Sequence, residues 1–460
     1  MGRRTAWWRA GAWRGRSSAA RARVAAATAV LCAVTLPASW SADATAAAGA
    51  PHADDSSGGT AYAFAEGAQK VDGAKGTTDA PGLKIGGTYR SSLAKGDKLY
   101  YSLDLDSESN TYVSVTAVPR AGATLSVQDG IRVSLQNGDS NSCSYESASF
   151  GAANSPHPVT AWGARTTSPA NPVCKDAGTY YVVVERVGTA KSSPGAWELE
   201  LAAVSEPPLK KAGSTSPPTS WNSASPTPVS GQDRRRAGGA GFSRATAVGQ
   251  GVWRTDISPG QTLFYKVPVD WGRQPSATAE LGSASGGGHG YAVGALDLAL
   301  YNPVRVGVED ASVGYDGLQK SVSLAPVPPV QYANRYAVTD QVNAMRFAGS
   351  YYLVVHLAEG VADTFGNGPF GLKLRVRLDG AAQAGPGYLG QSVPHNLFEV
   401  TADDREAAAE GGAGSGDATM TAVAVGGIGA GTVVLAVLGV WTVTARRRAG
   451  GRPVARGAAR

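Results

Sequence analysis

Cysteine, methionine and histidine are scarce in this sequence. Its 460 residues include 3 cysteines, 3 methionines and 5 histidines. The histidines form no H-E-x-x-H motif and no pair at i, i+4 spacing, and no G-x-S-x-G elbow or Walker loop is present. Catalysis or zinc binding would need such groups gathered with acids or cysteines. We therefore predict a non-enzymatic protein that needs no cofactor.

Charged residues are also few, at 17%, and the formal net charge of +6 comes from the two ends of the chain. Residues 1–23 hold seven arginines and residues 446–460 hold six, whereas the one acid in residues 1–46 is Asp43. The 29 basic and 35 acidic residues left between these ends make the middle mildly acidic. Because the basic charge belongs to terminal segments, we predict no nucleic-acid binding.

The first 46 residues have the three parts of a secretory signal peptide. A basic region ends at Arg23, an apolar run covers residues 24–36, and small–x–small cleavage sites lie within residues 42–46. This pattern predicts export through the general secretory route.

Residues 419–445 contain no charged side chain, and a bilayer needs roughly 20 such residues. Arg446, Arg447 and Arg448 follow directly, while acidic residues precede the stretch. The positive-inside rule then places the tail 446–460 in the cytoplasm and the large N-terminal part outside the cell. The alternative is a buried core helix, but the length and the asymmetric flanks favour a single-pass span in the cell membrane.

A strand–turn–strand stretch occurs twice in the middle of the chain. Residues 87–106, GTYRSSLAKGDKLYYSLDLD, align without a gap with residues 251–270, GVWRTDISPGQTLFYKVPVD. Two copies of one folding unit therefore define the architecture. Three later segments also match between the copies: 131–137 with 296–302, 177–181 with 348–352, and 197–201 with 370–374.

Alternation of apolar and polar residues identifies the elements of each unit. Leu99, Tyr101, Leu103 and Leu105 alternate with polar neighbours, which is the period of a half-buried strand. Short strands of this kind, separated by turn residues without a helical pattern between them, predict an all-β fold with two tandem β-sandwich domains.

Composition sets the expected boundaries. Segments rich in Pro, Gly, Ser or Ala are predicted to be flexible or extended because they bury too little apolar surface to offset the entropy of ordering. The predicted organisation is a signal peptide (1–46), a flexible segment (47–81), sandwich 1 (82–205), a Pro/Ser-rich linker (206–240), sandwich 2 (241–380), a Gly/Ala-rich stalk (381–418), a transmembrane helix (419–445) and a basic tail (446–460).

The order of shared motifs resembles a known family. Both copies follow the order G-x-[YW]-R, G-[DQ]-x-L-[YF]-Y, a mid-domain V-x-L-x-N or L-x-L-x-N, A-G-x-Y-Y and a terminal W/F-x-L-x-L. This order resembles the bacterial pre-peptidase C-terminal domain, and the whole chain is similar to membrane-anchored envelope proteins of streptomycete-like actinobacteria. The resemblance implies jelly-roll-like sandwiches that act as accessory binding modules, and relatives bind collagen and calcium. No peptidase domain stands ahead of the modules in this sequence.

Cys143 and Cys174 are the two cysteines left after removal of the signal peptide. Outside the membrane, a lone pair usually forms a disulfide. The alternative is a pair of free or metal-bound thiols. In the disulfide interpretation, the bridge closes a long loop, residues 144–173, that is otherwise expected to be mobile.

Two acidic clusters are weak candidates for calcium. Asp104 and Asp106 lie at the end of a strand, and Asn137 and Asp139 lie in a turn. Calcium prefers six or more oxygen ligands from a tight loop, and neither cluster has the EF-hand pattern. The alternative is that these side chains satisfy their own backbone in turns.

We predict a cell-envelope binding or scaffold protein that presents two extracytoplasmic modules to a protein partner or a wall polymer. The arginine run at residues 234–236 is either a solvated charge run or a contact for an anionic wall polymer. The alternative function is an accessory subunit of a secreted hydrolase or peptidase, or a cryptic hydrolase. His356 is the histidine singled out for that alternative, although its counterpart Glu185 predicts a solvent-facing position.

Overall fold

A computed structural model describes residues 61–167, 172–227, 229–286 and 288–410. The predicted signal peptide, the predicted span at 419–445 and the tail with Arg446, Arg447 and Arg448 lie outside these residues. None of the helices in the described ranges is both long and apolar enough to cross a membrane.

The first sandwich is built from nine strands. They are β1 Gln69–Lys70, β2 Thr88–Leu93, β3 Lys98–Leu105, β4 Asn110–Val118, β5 Gly130–Gln136, β6 Ser142–Ser149, β7 Val159–Arg165, β8 Gly178–Val187 and β9 Trp197–Glu206, with a 3₁₀ turn at Pro172–Cys174.

The second sandwich has ten strands and most of the helical turns. They are β10 Asp233–Arg235, β11 Thr246–Ala247, β12 Gly251–Ile257, β13 Thr262–Val269, β14 Gln274–Leu281, β15 Ala292–Tyr301, β16 Gly307–Tyr315, β17 Lys320–Ser323, β18 Gly349–Leu357 and β19 Phe370–Asp379; the helices are α1 Asp340–Ala344, α2 Val361–Phe365 and α3 Ala402–Glu410, with 3₁₀ turns at Phe242–Arg244 and Tyr332–Tyr336.

The two sandwiches have the same topology. In the first, the sheets run β1-β2-β9-β4-β7 and β3-β8-β5-β6; in the second, they run β10-β12-β19-β14-β17 and β11-β13-β18-β15-β16. Without the short strands β1, β10 and β11, each domain places eight strands in two four-stranded sheets, in the strand order of a jelly roll. The prediction of an all-β fold with two tandem β-sandwiches is confirmed.

Each core lies between the two sheets of its own domain. Trp197, Leu93 and Tyr101 are buried in the first core, and Trp253 and Tyr265 are buried in the second. These residues point inward because alternate side chains of a strand face opposite sides of the sheet. Burial of such large side chains is the main stabilising contribution, at roughly 1.5–3 kcal/mol for each aliphatic or aromatic residue.

The repeated strand–turn–strand stretch forms a corner between the two sheets of each domain. Its turn glycines, Gly96 and Gly260, have φ values of 75° and 79°. Such values are costly for residues with a Cβ, which explains why both copies carry glycine there. The chain leaves one sheet at β2 or β12 and enters the other at β3 or β13.

Several stretches expected to be flexible are packed on the sandwiches. Within 61–81, β1 pairs with β2. Within 381–410, Phe398 is 2% exposed and stacks on Phe347 at 4.6 Å between ring centroids. In the segment between the domains, β10 pairs with β12. A few well-placed aromatics and backbone pairings order these segments despite their composition.

The stretch 144–173 is not the long mobile loop that the sequence suggests. Most of β6 and all of β7 lie inside it. β6 pairs with β5, and β7 pairs with β4 at the edge of the other sheet. Alternation of apolar and polar residues does not identify β6, because its composition is polar and its side chains are half-buried or exposed.

Candidate functional site

The second sandwich packs against part of the outer face of β9. Glu200 and Glu206 are both fully buried, although carboxylates seldom are. A carboxylate oxygen of Glu200 lies 2.6 Å from Nη1 of Arg305, and one of Glu206 lies 2.5 Å from Nη2 of Arg335. These ion pairs join the two sandwiches.

Neutral donors complete the surroundings of Glu206. Asn110 donates to its carboxylate at 2.8 Å, Tyr112 at 3.1 Å and Tyr388 at 2.9 Å. Burial alone would raise the pKa of Glu206, but the charges of Arg335 and Arg346 and the hydrogen bonds from Arg335 and Asn110 together outweigh burial and lower this pKa. The pKa of Arg335 is raised, since the attraction of Glu206 outweighs the desolvation of the guanidinium. Both groups are therefore ionised.

His356 lies in a second buried cluster between the domains. It is 2% exposed, which contradicts the solvent-facing position expected from its counterpart Glu185. Its Nε2 lies 2.9 Å from Oγ of Ser155, its Nδ1 lies 3.0 Å from Oγ1 of Thr262, and its ring stacks on His157 at 4.5 Å. A loop of the first sandwich covers this position, which strand periodicity does not reveal.

The corresponding sheet face of the second sandwich is open. A groove of about 290 Å³ crosses β10, β12, β14 and β19. Its charged side chains are three acids and three bases, namely Asp233, Asp256, Glu280, Arg235, Arg254 and Lys373.

Five of the six charges of this groove pair with one another across the sheet, and Glu280 pairs with Arg375, which lies outside the lining. Arg235 lies 3.2 Å from Asp256, while Arg254 and Lys373 lie 3.9 and 3.7 Å from Asp233. Exposed pairs of this kind contribute little to stability, about 0–1 kcal/mol each. Their side chains are therefore free to exchange these partners for polar groups of a ligand at low cost.

The register explains why one face is closed and the other open. Arg90 pairs across β2 and β9 with Glu200, and Arg254 pairs across β12 and β19 with Lys373. Glu200 and Lys373 are thus equivalent positions of the two repeats. In the first copy, this position is buried against the second sandwich, and in the second it lines the groove.

The predicted disulfide is confirmed. Cys143 and Cys174 are bonded, with their Cα atoms 5.7 Å apart. The bridge ties β6 to the 3₁₀ turn that precedes β8.

Three of the four calcium candidates, Asp104, Asp106 and Asn137, accept hydrogen bonds through their side chains. Asp106 accepts from the backbone of Glu108 and Ser109 at 2.8 and 2.6 Å, and these bonds outweigh desolvation and lower its pKa. Asp104 accepts from the hydroxyl of Thr179.

Asn137 accepts from the backbone of Asp139 and Asn141, and so caps its own turn. Among the described residues, no group of three or more His, Cys, Asp and Glu side chains is arranged to hold a metal ion.

Sequence reasoning missed the buried glutamates and the groove. Glu198 and Glu200 alternate with Trp197, Leu199 and Leu201 and so read as solvent-facing residues. The available signal for the groove was the arginine run at 234–236, together with the recurrence of Arg90 at Arg254.

Comparison with known proteins gives only distant likenesses. The chain matches no protein-family model and no curated protein. It is similar to the CBM22-1–CBM22-2 tandem domain of Paenibacillus barcinonensis Xyn10C at 11% identity, over 67% of this chain and 95% of that one, with a TM-score of 0.18. It is also similar to the tandem CBM51 modules of Streptococcus pneumoniae Sp3GH98 at 7% identity, over 64% and 83%, with a TM-score of 0.17.

A third similar structure is the CUB1-EGF-CUB2 domain of human MASP-1/3, at 8% identity, over 63% of this chain and 99% of that one, with a TM-score of 0.16. Likenesses this weak carry no argument about function. The chain is a protein of two tandem β-sandwich domains, and this class rests on its own four sheets.

Proposed function

We propose that this protein is a non-enzymatic binding module of the cell envelope, anchored by a C-terminal span, whose second sandwich binds a hydrophilic wall polymer. The observation that carries the proposal is the open groove over β10, β12, β14 and β19. The signal-peptide and membrane-span patterns of the sequence support the location. The resemblance to pre-peptidase C-terminal domains supports an accessory binding role.

The chemistry of the groove suits a polar polymer. It offers charged donors from Arg235, Arg254 and Lys373. Asp233 and Asp256 supply charged acceptors and Gln319 supplies an amide, with no aromatic side chain in the lining. Binding would then depend on hydrogen bonds and exchangeable ion pairs, so its affinity falls as ionic strength rises. The equivalent sheet face of the first sandwich, which contains β9, already binds a protein surface, because the second sandwich packs against it.

The first test is co-sedimentation of the full chain with isolated cell wall at several salt concentrations. We expect saturable binding that weakens with salt and falls roughly fivefold in Lys373→Glu, because charge reversal acts on polar contacts of this kind. The matched control is Lys191→Glu, an exposed site outside the groove lining. If the two variants bind cell wall equally well, the groove is not the binding site.

Two further arms define the partner and the cofactor. We expect binding to persist in EDTA, because Asp106 and Asn137 already cap their own turns. Absence of wall binding by the wild-type chain would redirect the proposal to a protein partner, to be sought by crosslinking in intact membranes.

One observation favours a cryptic hydrolase as the second candidate function. Oγ of Ser155 lies 2.9 Å from Nε2 of His356, as a nucleophile and its base would. Both residues are 2% exposed, however, and the hydroxyl of Ser155 also accepts from the backbone of Glu359. Hydrolysis of an ester or peptide substrate that disappears in Ser155→Ala would establish this alternative.

A further inference from the structure

A polar crevice lies where the two sandwiches and the connecting segment meet. Its volume is about 250 Å³. It is separate from the groove of the second sandwich, with which it shares no lining residue. The residues used below are Asn110 and Thr167 from the first sandwich, Thr215 from the connecting segment, and Tyr332, Arg335 and Arg346 from the second.

Arg346 is the unusual member of this crevice. It is 6% exposed, and its Nε is buried without a hydrogen-bond partner. None of the ion pairs formed by described residues includes it, and its guanidinium instead lies 5.2 Å from the ring centroids of Tyr112 and Phe347. A buried cation without an ion-pair partner of its own is costly, so its retention needs a reason.

The neighbouring acid is already committed to other groups. Glu206 accepts from Arg335 at 2.5 and 3.2 Å and from Asn110, Tyr112 and Tyr388. Two guanidinium groups therefore face one carboxylate. With the tyrosines neutral, the local net charge is +1.

The rest of the crevice is built for hydrogen bonding. The amide oxygen of Asn110 accepts from the backbone and hydroxyl of Thr167, at 2.9 and 3.3 Å, which fixes that wall. Arg335 lies 3.4 Å from the ring centroid of Tyr332, so the aromatic floor is fixed as well. Thr215 adds an exposed hydroxyl at the mouth.

We propose that this crevice binds an oxyanion, the carboxylate or phosphate of a small hydroxylated ligand, with Arg346 as its counter-ion. A guanidinium presents several donors in a plane that matches carboxylate and phosphate oxygens. The volume lies just below the roughly 300–1,000 Å³ of sites for drug-sized molecules, so the crevice accommodates a group the size of one sugar or amino acid. The bound anion restores local neutrality.

The test is isothermal titration calorimetry on the purified full chain in non-ionic detergent at constant ionic strength. The probes are inorganic phosphate, glucuronate and, as the neutral counterpart of glucuronate, glucose. We expect one saturable site for phosphate or glucuronate and none for glucose. Tighter binding of phosphate identifies a phosphate-bearing ligand, and tighter binding of glucuronate identifies a carboxylate-bearing one.

Variants decide whether Arg346 carries the binding. Arg346→Gln should lower the affinity at least tenfold, whereas Arg120→Gln, which removes an exposed arginine of the first sandwich, should not change it. Because Arg346→Gln alters a buried position, Thr215→Trp provides an independent variant that blocks the mouth from an exposed loop. The proposal is overturned if the wild-type chain binds neither anion, or if both crevice variants bind as it does.

Discussion

Glu206, the last residue of β9, forms a buried ion pair with Arg335 across the boundary between the two sandwiches, at 2.5 Å. Side-chain exposure is 0% for the glutamate and 10% for the arginine. This pair, together with Glu200 and Arg305, makes the contact between domains depend on charges that are largely removed from water.

Glu206→Gln should strongly destabilise the protein. The substitution leaves Arg335 buried without its counter-ion, which costs about 3–5 kcal/mol in the free energy of unfolding. Urea unfolding of the full chain measures this. The double variant Glu206→Met, Arg335→Met should lose less than the sum of the two single variants. Additive losses would show that the two side chains are not coupled.

Acidification should weaken the contact around His356. Burial lowers the pKa of His356 well below its usual 6.5, and the neighbouring His157 lowers it further. Burial also lowers the pKa of His157 itself. As the pH falls through about 6.5, these histidines become protonated in the unfolded chain but not in the folded chain. Their contribution to the free energy of unfolding is therefore full above that pH and is lost as the pH falls below it.

The measurement is the free energy of unfolding at pH 7.5 and pH 5. The double variant His157→Gln, His356→Gln should show a smaller fall between these two pH values than the wild-type protein. An unchanged fall would assign the acid sensitivity to other groups.

Asp297 should produce the opposite pH dependence. Burial, reinforced by the nearby charge of Asp310, raises its pKa to about 7. The folded protein keeps this proton while the unfolded chain loses it near pH 4, so stability falls as the pH rises from about 4 to 7.

Asp297→Asn removes this penalty and should stabilise the protein at pH 8 by about 1–2 kcal/mol, since the partial exposure of the side chain moderates the effect. The gain should be absent near pH 4. Unfolding curves at the two pH values measure it, and Asp310→Asn should give a smaller gain in the same direction. A loss of stability at pH 8 in Asp297→Asn would contradict the assignment.

Loss of the disulfide should destabilise the first sandwich. The bridge between Cys143 and Cys174 spans 31 residues, and closing such a loop contributes about 3–4 kcal/mol on the chain-entropy estimate. Cys143→Ser, Cys174→Ser should lower the unfolding midpoint to that of the reduced wild-type protein. The reductant should have no effect on the variant. Equal stability of the oxidised wild type and the variant would contradict this estimate.

The sequence predicted those elements whose side chains alternate between core and solvent. β3 and β9 were identified in this way, and the register of the repeat gave the tandem sandwiches. β6 and β16 were missed because they are edge strands whose side chains are mostly polar or partly exposed. Their position is set by pairing with β5 and β15, and a pattern read along one strand does not show which strand pairs with it.

The binding surfaces were less predictable than the fold. Burial of Glu200 and His356 depends on which faces of the two domains meet. The alternation along a strand separates the two faces of its sheet, but it does not show which outer face is covered by another domain. Arg346 follows Met345 in a segment without alternation, so its burial without an ion pair could not be inferred from spacing. The cysteine pair, by contrast, was predictable because only one pairing was possible.

The equivalence of Glu200 and Lys373 also shows that the two repeats are constrained differently at one position. The core positions of β9 and β19 kept similar residues, since both copies must fill the same interior. On the opposite face, the first copy has an acid that pairs with the largely buried Arg305, and the second has a base that pairs with exposed Asp233. Substitution of Glu200 in the first copy would break the ion pair that joins the two domains. Substitution of Lys373 in the second copy would change only the surface that is offered to a ligand.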